Sequence, residues 1–369
     1  MTPQEALVGL NLFLDIGSTR LTKLLESFGT PENILCAPQH RLTQVPGIGE
    51  EIAQKIRALK IKDIEKEFVL SKKLGIKIKT ISDLDYPVNL KNIFDPPIVL
   101  YVKGELRAQD NLGIGIVGAR HATLYGLVMA EKFAEGLSAS GFTVVSGMAR
   151  GIDSAAHRGA LKHGGRTIAV IGSGLANIYP PENQKLAEQI SQSGAVISEF
   201  PIRTQPLRMN FPRRNRLISG LSLGILVVEA ARNSGALITA DFALQQGRDV
   251  FALPGKIDSA NSFGPNELIK QGAKLVTSAH DILEEFDFIY QGPRENGLKQ
   301  KEVTQVRLRL DAEMRLYDLI PDEAIQLEEL VEKASLEIPQ VFAILLQLQM
   351  KGLIRQLPGK RFERRINEN

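Results

Sequence analysis

Gly113-Ile114-Gly115-Ile116-Val117-Gly118-Ala119-Arg120 is the stretch from which the fold can be read. Its letters satisfy Gly-x-Gly-x-x-Gly. The glycines of a dinucleotide fingerprint follow their strand, however, and here Gly113 and Gly115 fall inside the apolar run itself. The run therefore reads as a strand, Ile114–Val117, ending in a small-residue turn and an arginine. The next strand, Thr143–Val145, ends in Ser146-Gly147-Met148-Ala149-Arg150-Gly151, with no acid placed to hold a ribose. Gly159-Ala160-Leu161-Lys162-His163-Gly164 is followed by Gly165-Arg166 instead of Lys-Ser/Thr, which excludes a Walker loop. No nucleotide cofactor is expected.

Outward from this stretch, strands and helices alternate. Further strands are expected at Thr167–Ile171, Ala195–Ser198, Gly224–Val228, Val250–Leu253 and Lys274–Val276. Helical runs lie near Tyr125–Ser140, Ser154–His163, Asn183–Ser193, Arg213–Gly220, Ala236–Gly247, Asn266–Gly272 and Ala279–Phe286. Near-continuous apolar strands imply burial on both faces, hence an α/β fold with a Rossmann-like, doubly wound, mostly parallel sheet. In such sheets ligands bind at the carboxyl ends of the strands. Gly118-Ala119-Arg120, Ser146-Gly147 and Gly172-Ser173-Gly174 gather there, and Arg166 opens the third strand.

The segment Phe200 to Val228 carries Arg203, Arg208, Arg213, Arg214 and Arg216 and no Asp or Glu. Guanidinium forks suit phosphate oxygens, and small residues at strand ends let backbone amides face an anion. We therefore expect an anion-binding surface built from Gly118, Arg120, Ser146, Gly147, Arg166, Gly172, Arg208, Phe211, Arg213, Arg214 and Asn215. Phe211 has two readings: a platform for a stacked base, or a ring pinned at a helix start by Pro212. Asp153 and His157 stand one helical turn apart. With no nucleophile or third ligand beside them, they read as a helix cap and a packed side chain. Glu229, ending a strand, is expected to order Arg214 or Arg216 through a salt bridge.

The chain has 369 residues and a formal net charge of +3, with a pI of about 8.8. That balance permits an anionic partner without demanding one. Cys36 is the sole cysteine, so no intrachain disulfide can form, and a reducing cytoplasm is the expected location. The five histidines are scattered, and no metal-ligand set stands at a usual spacing. Met1 to Phe13 lacks the basic and apolar regions of a signal peptide, and no apolar run reaches spanning length. No membrane association is expected.

Two smaller modules flank the sheet, giving expected domains at 1–73, 74–290 and 306–369 with a linker at 291–305. Near the N-terminus, Val45-Pro46-Gly47-Ile48-Gly49 leads into a run with Ile48, Ile52 and Ile56 at helical spacing. It resembles a helix-hairpin-helix (SAM-like) motif, in which glycine frees backbone amides for a phosphate, so Gly47 and Gly49 mark a secondary DNA contact. Leu14 to Arg20 resembles a half-copy that lacks the second glycine. A charged helix over Asp63–Lys73, an irregular Pro-rich segment and a strand at Ile98–Val102 come next. After the linker stand three helical runs, the last starting at Pro339 with Val341, Ile344, Leu345 and Leu348 on one face. Leu353–Leu357 and Arg361–Arg364 form a two-stranded wing, and the whole resembles a winged helix. Its third helix offers only Gln340 near its start and no base before Lys351, so a protein-contact or accessory role is expected over base reading.

Taken in order, the motifs carry a family resemblance. They are Gly118-Ala119-Arg120, Ser146 through Asp153 with His157, Thr167 through Gly174, Tyr179-Pro180-Pro181-Glu182-Asn183 and Ser198-Glu199. Phe211-Pro212-Arg213-Arg214-Asn215-Arg216, Ser234 through Ala240 and Leu253-Pro254-Gly255 complete the series. The chain resembles the DprA/Smf family of DNA-processing proteins across almost its full length. The resemblance implies a cytoplasmic, non-enzymatic single-stranded DNA binder. It implies a homodimer that protects incoming DNA during natural transformation and loads the RecA recombinase. It also implies DNA contacts at Arg120, Arg208, Phe211, Arg214 and Arg166, the last standing where many members carry lysine. The dimer interface is expected around Leu268, Ile269 and Ile282–Phe286. An enzyme alternative is a LOG-like nucleotide-processing hydrolase on a related scaffold. The acid-bearing motif of that group is replaced here by Glu229-Ala230-Ala231-Arg232-Asn233-Ser234-Gly235. A duplex-binding regulator working through the tail and the Gly47–Gly49 hairpin is a third reading.

Overall fold

The computed structural model describes residues 1–13, 16–286, 316–321, 324–334, 336, 341, 344–345, 348, 354–357 and 361–364. The chain forms two compact units, residues 1–292 and 293–369.

The first unit opens with six helices. They are α1 (Pro3–Asn11), α2 (Ser18–Phe28), α3 (Pro31–Cys36), α4 (Gln39–Leu42), α5 (Glu50–Ala58) and α6 (Ile61–Leu74). Thr2 and Glu5 close a reciprocal capping box at α1. Gly75 ends α6 with φ +63°, a left-handed position that favours glycine. The α6 helix matches the expected charged helix at Asp63–Lys73. The next element, β1 (Ile76–Thr80), was not expected from the sequence. Ile76-Lys77-Ile78-Lys79-Thr80 alternates with period two, and β1 forms an edge strand, where outward lysines discourage further pairing.

After a short α7 (Val88–Lys91), β2 (Val99–Gly104) runs antiparallel to both β1 and β6. Six elements then alternate: β3 (Gly113–Val117), α8 (Leu124–Ala139), β4 (Thr143–Ser146), α9 (Ile152–Leu161), β5 (Thr167–Val170) and α10 (Gln184–Ser193). The series continues with β6 (Ala195–Ser198), α11 (Asn210–Gly220), β7 (Gly224–Val227), α12 (Gly235–Gln245), β8 (Asp249–Ala252), α13 (Phe263–Lys270), β9 (Lys274–Leu275) and α14 (Ala279–Leu283). The nine-stranded sheet has the order β1-β2-β6-β5-β4-β3-β7-β8-β9. From β3 to β6 the chain winds one way. It then returns through α11 and winds the other way from β7 to β9, so the order reverses between β3 and β7. Gly113 and Gly115 lie inside β3, as expected from the misplaced fingerprint.

Apolar residues fill both faces. One core joins Val117, Val145, Ile168 and Val227 to α11 and α12, and the opposite one joins Ile114, Val144 and Leu226 to α8 and α9. Leu268, Ile282 and Phe286 are spent on these cores, with Phe286 meeting the rings of Phe142 and Phe251. Of the residues expected at a dimer interface, these three face inward, whereas Ile269 is only partly buried.

The N-terminal helices share a core with the sheet domain and are tied to it by polar bonds. Asn11 Nδ2 donates to Glu199 O (3.1 Å), and Glu67 accepts from Ile202 N (2.7 Å). Ser18 bonds Asp95 through both its amide and its hydroxyl.

In the second unit, β10 (Ile325–Gln326), β11 (Ile354–Leu357) and β12 (Arg361–Arg364) make a small sheet of order β10-β12-β11, and α15 (Leu327–Ala334) follows β10. The antiparallel β11–β12 pair is the expected wing. Val341, Leu345 and Leu348 are buried beside Leu330 and Phe362, which realises the apolar helix face. Leu14 and Asp15, the linker 291–305, Pro339–Gln340 and Lys351 lie outside the described residues.

Candidate nucleic-acid interface

The reversal between β3 and β7 leaves a crevice at the carboxyl end of the sheet, and a cleft of about 750 Å³ occupies it. Arg120, Arg208, Phe211 and Arg214 line it from one side, and the turn Asn233–Ala236 from the other.

Close packing explains the glycines. A Cβ on Gly118 would sit 2.6 Å from Ile152, so the turn after β3 can lie against α9 only as glycine. A Cβ on Gly147 would strike the Arg214 guanidinium and the Asp153 carboxylate, both at 2.7 Å. One on Gly172 would meet the Phe211 ring at 3.0 Å. These glycines make room for the arginine and the aromatic ring on which the cleft is built.

Phe211 lies in the first turn of α11. The Arg120 guanidinium stacks over its ring at 5.3 Å, Arg214 approaches at 6.0 Å, and Tyr179 tilts against it at 5.8 Å. Arg120 and Arg208 are exposed, whereas Phe211 is half-buried. Phe211 is packed at a helix start and also borders the cleft. Tyr179 was missed as a site residue. Its motif is visible in the sequence, but nothing local says that the chain folds it onto Phe211.

Arg214 is a brace. Its guanidinium is buried and donates to the carbonyls of Gly147 and Val170, at the ends of β4 and β5, while its Nε donates to Asn215 Oδ1. Burial pulls it down to about 10, although the neighbouring Asp153 opposes the shift. Asn215 in turn donates to Gly235 O (3.1 Å), joining α11 to the start of α12. Burial raises the Asp153 carboxyl, with Arg214 pulling the other way, and Asp153 accepts from Ala149 N (3.2 Å) at the start of α9.

His157 packs beneath. Its Nδ1 lies 2.7 Å from Thr167 Oγ1, whose single proton goes to Val144 O. Nδ1 must therefore carry the ring proton, and Nε2 is a buried acceptor with no partner among the described residues. Burial holds this imidazole neutral, lowering it to about 3.

Other expected site residues stand elsewhere. Arg166, at the opposite end of β5, is 6% exposed and pairs with Asp110 at 2.6 Å, donating also to Ser193 O and Glu105 O. It is a structural ion pair outside the cleft. Ser146 is fully buried and donates to Ile116 O (2.6 Å), so its hydroxyl is turned into the sheet. Arg213 lies over the Phe200 ring at 5.9 Å and does not line the cleft. Glu229 orders neither arginine: it accepts from Thr123 N and Oγ1, and Arg216 instead grips both oxygens of Glu199 at 2.7 Å. In the N-terminal module, Gly47 takes φ +92° and accepts from Arg20 Nε (3.0 Å), and Gly49 opens α5 directly before Glu50 and Glu51.

Among the described residues there is no His/Cys/Asp/Glu group fit for a metal. None of their helices is long and apolar enough to cross a membrane.

Comparison with known proteins places this architecture. The model of DNA recombination-mediator protein A matches residues 77–287, the DprA winged helix domain 309–360, and the SAM-like helix-hairpin-helix tandem 14–63. The chain is 44% identical to Protein Smf of Escherichia coli over 279 residues, 74% of each protein. It is 37% identical to Protein Smf of Synechocystis, with 95% of this chain and 96% of that one covered. The X-ray structure of DNA processing protein A from Streptococcus pneumoniae superposes with a TM-score of 0.65 at 37% identity, covering 77% of this chain and 98% of that one. DNA processing protein A from Helicobacter pylori, whose structure describes its single-stranded DNA binding mode, gives 0.53 at 29% identity over 58% of this chain and 98% of that one. With the helix-hairpin-helix, the α/β sheet and the winged helix all matched in order, the chain belongs to the DNA recombination-mediator protein A family, the DprA/Smf proteins.

Proposed function

We propose that this protein binds single-stranded DNA in the cleft between β3 and β7, protects it and passes it to RecA during transformation or recombination, without catalysing a reaction. The carrying observation is the Arg120–Phe211 stack at the cleft. An exposed cation beside a ring supplies what sequence-tolerant single-strand binding needs: phosphate attraction and a π-face for any base. The proposed contacts are Arg120, Arg208 and Phe211, with the backbone of Gly118, Gly147 and Gly172 shaping the cleft. Arg214 and Asn215 hold that shape from behind. The N-terminal turn at Gly47 and Gly49 is a secondary contact, its phosphate attraction weakened by Glu50 and Glu51.

The place of Glu229 weighs against the hydrolase alternative. Its carboxylate is 4% exposed and taken up by Thr123. It does not line the cleft, so it offers a nucleotide no general base. Two copies would join two such clefts and raise avidity for a long strand. The cytoplasmic location and the RecA partner rest on the family.

Fluorescence anisotropy of a labelled oligothymidylate, against a matching duplex and across salt, tests the proposal. Tight, salt-sensitive single-strand binding that Arg120→Ala and Arg208→Ala both weaken is the expected result. Equal affinities in the variants, or a preference for duplex, would remove function from this cleft. RecA filament formation on DNA coated by a single-strand-binding protein, with and without this protein, tests the loading step.

A further inference from the structure

A second arginine–aromatic stack stands on the other side of the crevice. The turn after β7 runs from Ala230 to Ser234, and its later residues face the cleft. Arg232, in the middle of the turn, places its guanidinium 4.5 Å from the centre of the Phe263 ring at the start of α13. Arg232 is exposed, and Phe263 keeps 36% of its surface open. Among the described residues Arg232 forms no ion pair.

The backbone ties this stack to the first one. His121, next to Arg120, accepts at its carbonyl from Asn261 Nδ2 (2.9 Å). Ala230 N donates to Asn261 O, and Gly264 N donates to Ala230 O, both at 2.7 Å. A Cβ on Gly264 would lie 2.7 Å from Ala230, so the two turns touch backbone to backbone. The loops concerned leave the carboxyl ends of β3, β7 and β8, which are neighbours in the sheet. Phe211, against Gly172 after β5, and Phe263, after β8, thus flank the β3/β7 crevice from opposite sides. Lys256, in the loop after β8, is exposed on this second side, and Asp258 is the acid of that loop.

We propose that Arg232 and Phe263 form a second nucleotide subsite, where a further base of the same single strand stacks on the ring or on the guanidinium plane and Arg232 meets its phosphate. This rests on the single-strand reading of the cleft. A strand seated at Phe211 and Arg120 then continues over the Asn233–Ala236 turn, and the footprint is longer than the cleft alone holds.

The test measures binding of oligothymidylates from about three to about twelve nucleotides, the range over which single-strand sites are filled, to the full chain. Wild type is compared with Phe263→Ala, Phe263→Tyr and Arg232→Ala. The shortest oligonucleotide that wild type binds should bind all four alike. Longer ones should bind Phe263→Ala about 5- to 150-fold more weakly than wild type, with Phe263→Tyr restoring affinity and Arg232→Ala lowering the salt dependence. Equal affinities at every length overturn the subsite, and so does an equal loss at short and long lengths. A lower melting temperature with unchanged affinity would make the stack a mere anchor of α13. Absence of oligonucleotide binding by wild type is a separate result, and it overturns the proposed function itself.

Discussion

The guanidinium of Arg120 stacks 5.3 Å from the centre of the Phe211 ring, although one residue belongs to the turn after β3 and the other to the first turn of α11. Arg120 is carried by the turn after β3. Phe211 is held by α11 and by the absence of a side chain at Gly172. A phosphate and a base of one nucleotide can thereby be met together, and the two contributions can be separated by experiment.

Arg120→Ala removes a cation from the exposed side of the stack. Single-strand affinity should fall, and the slope of log affinity against log salt should become shallower by about 0.7, the value for one phosphate contact on a single strand. Because Arg120 is exposed, unfolding free energy should change by no more than about 0.5 kcal/mol. Anisotropy across salt and urea denaturation check the two statements.

Phe211→Ala should weaken single-strand binding by about 1–3 kcal/mol while leaving the salt slope unchanged, because stacking carries no counterion term. Gly172→Ala should act in the same direction through the ring, since its Cβ would press on Phe211 at 3.0 Å. A variant whose salt slope changes with its affinity would show that the ring acts only by holding Arg120.

Arg166→Ala should cost about 3–5 kcal/mol of stability, because it strands the Asp110 carboxylate in a buried place. The folded protein should bind single-stranded DNA like wild type, since Arg166 stands at the opposite end of β5. Thermal melts, together with anisotropy well below the melting temperature, check both halves.

His157 makes stability depend on pH. Its folded value of about 3 lies below the roughly 6.5 of an unfolded chain, so the folded state binds fewer protons between those limits. Its contribution is complete above about pH 6.5 and is lost as pH falls towards 3, at up to about 1.4 kcal/mol per unit. Asp153 works the other way: its raised carboxyl favours the folded state at acid pH and softens the loss at the low end. Urea midpoints should therefore fall from pH 7 to pH 5, with a shallower fall in His157→Gln. The His157 ring signals in NMR spectra should stay fixed over the same range.

Much of this was legible in the chain itself. The apolar runs at Ile114–Val117 and Ala195–Ser198 dictate buried parallel strands. The glycines inside the first run exclude a dinucleotide fingerprint, and the acid-free arginine segment marks α11 and its approach as the place of interest. Those are local properties of period and composition, and they survive without knowledge of neighbours.

Which arginine faces solvent is a different kind of question. Arg120, Arg166, Arg213 and Arg214 look alike in the sequence, yet one is exposed over Phe211, one is paired with Asp110, one lies over Phe200 and one braces the ends of β4 and β5. Their fates depend on partners 56, 13 and 44 to 67 residues away for the last three. Only the closed sheet brings those groups together, because a guanidinium's role is set by the acceptors and rings within a few ångströms of it. Tyr179 on Phe211 and Arg232 on Phe263 were unreadable for the same reason. Sequence period and composition determined the helices and all but the edge of the sheet, and the ordered motifs carried the family resemblance; tertiary packing alone decided which charges remain free to meet a ligand.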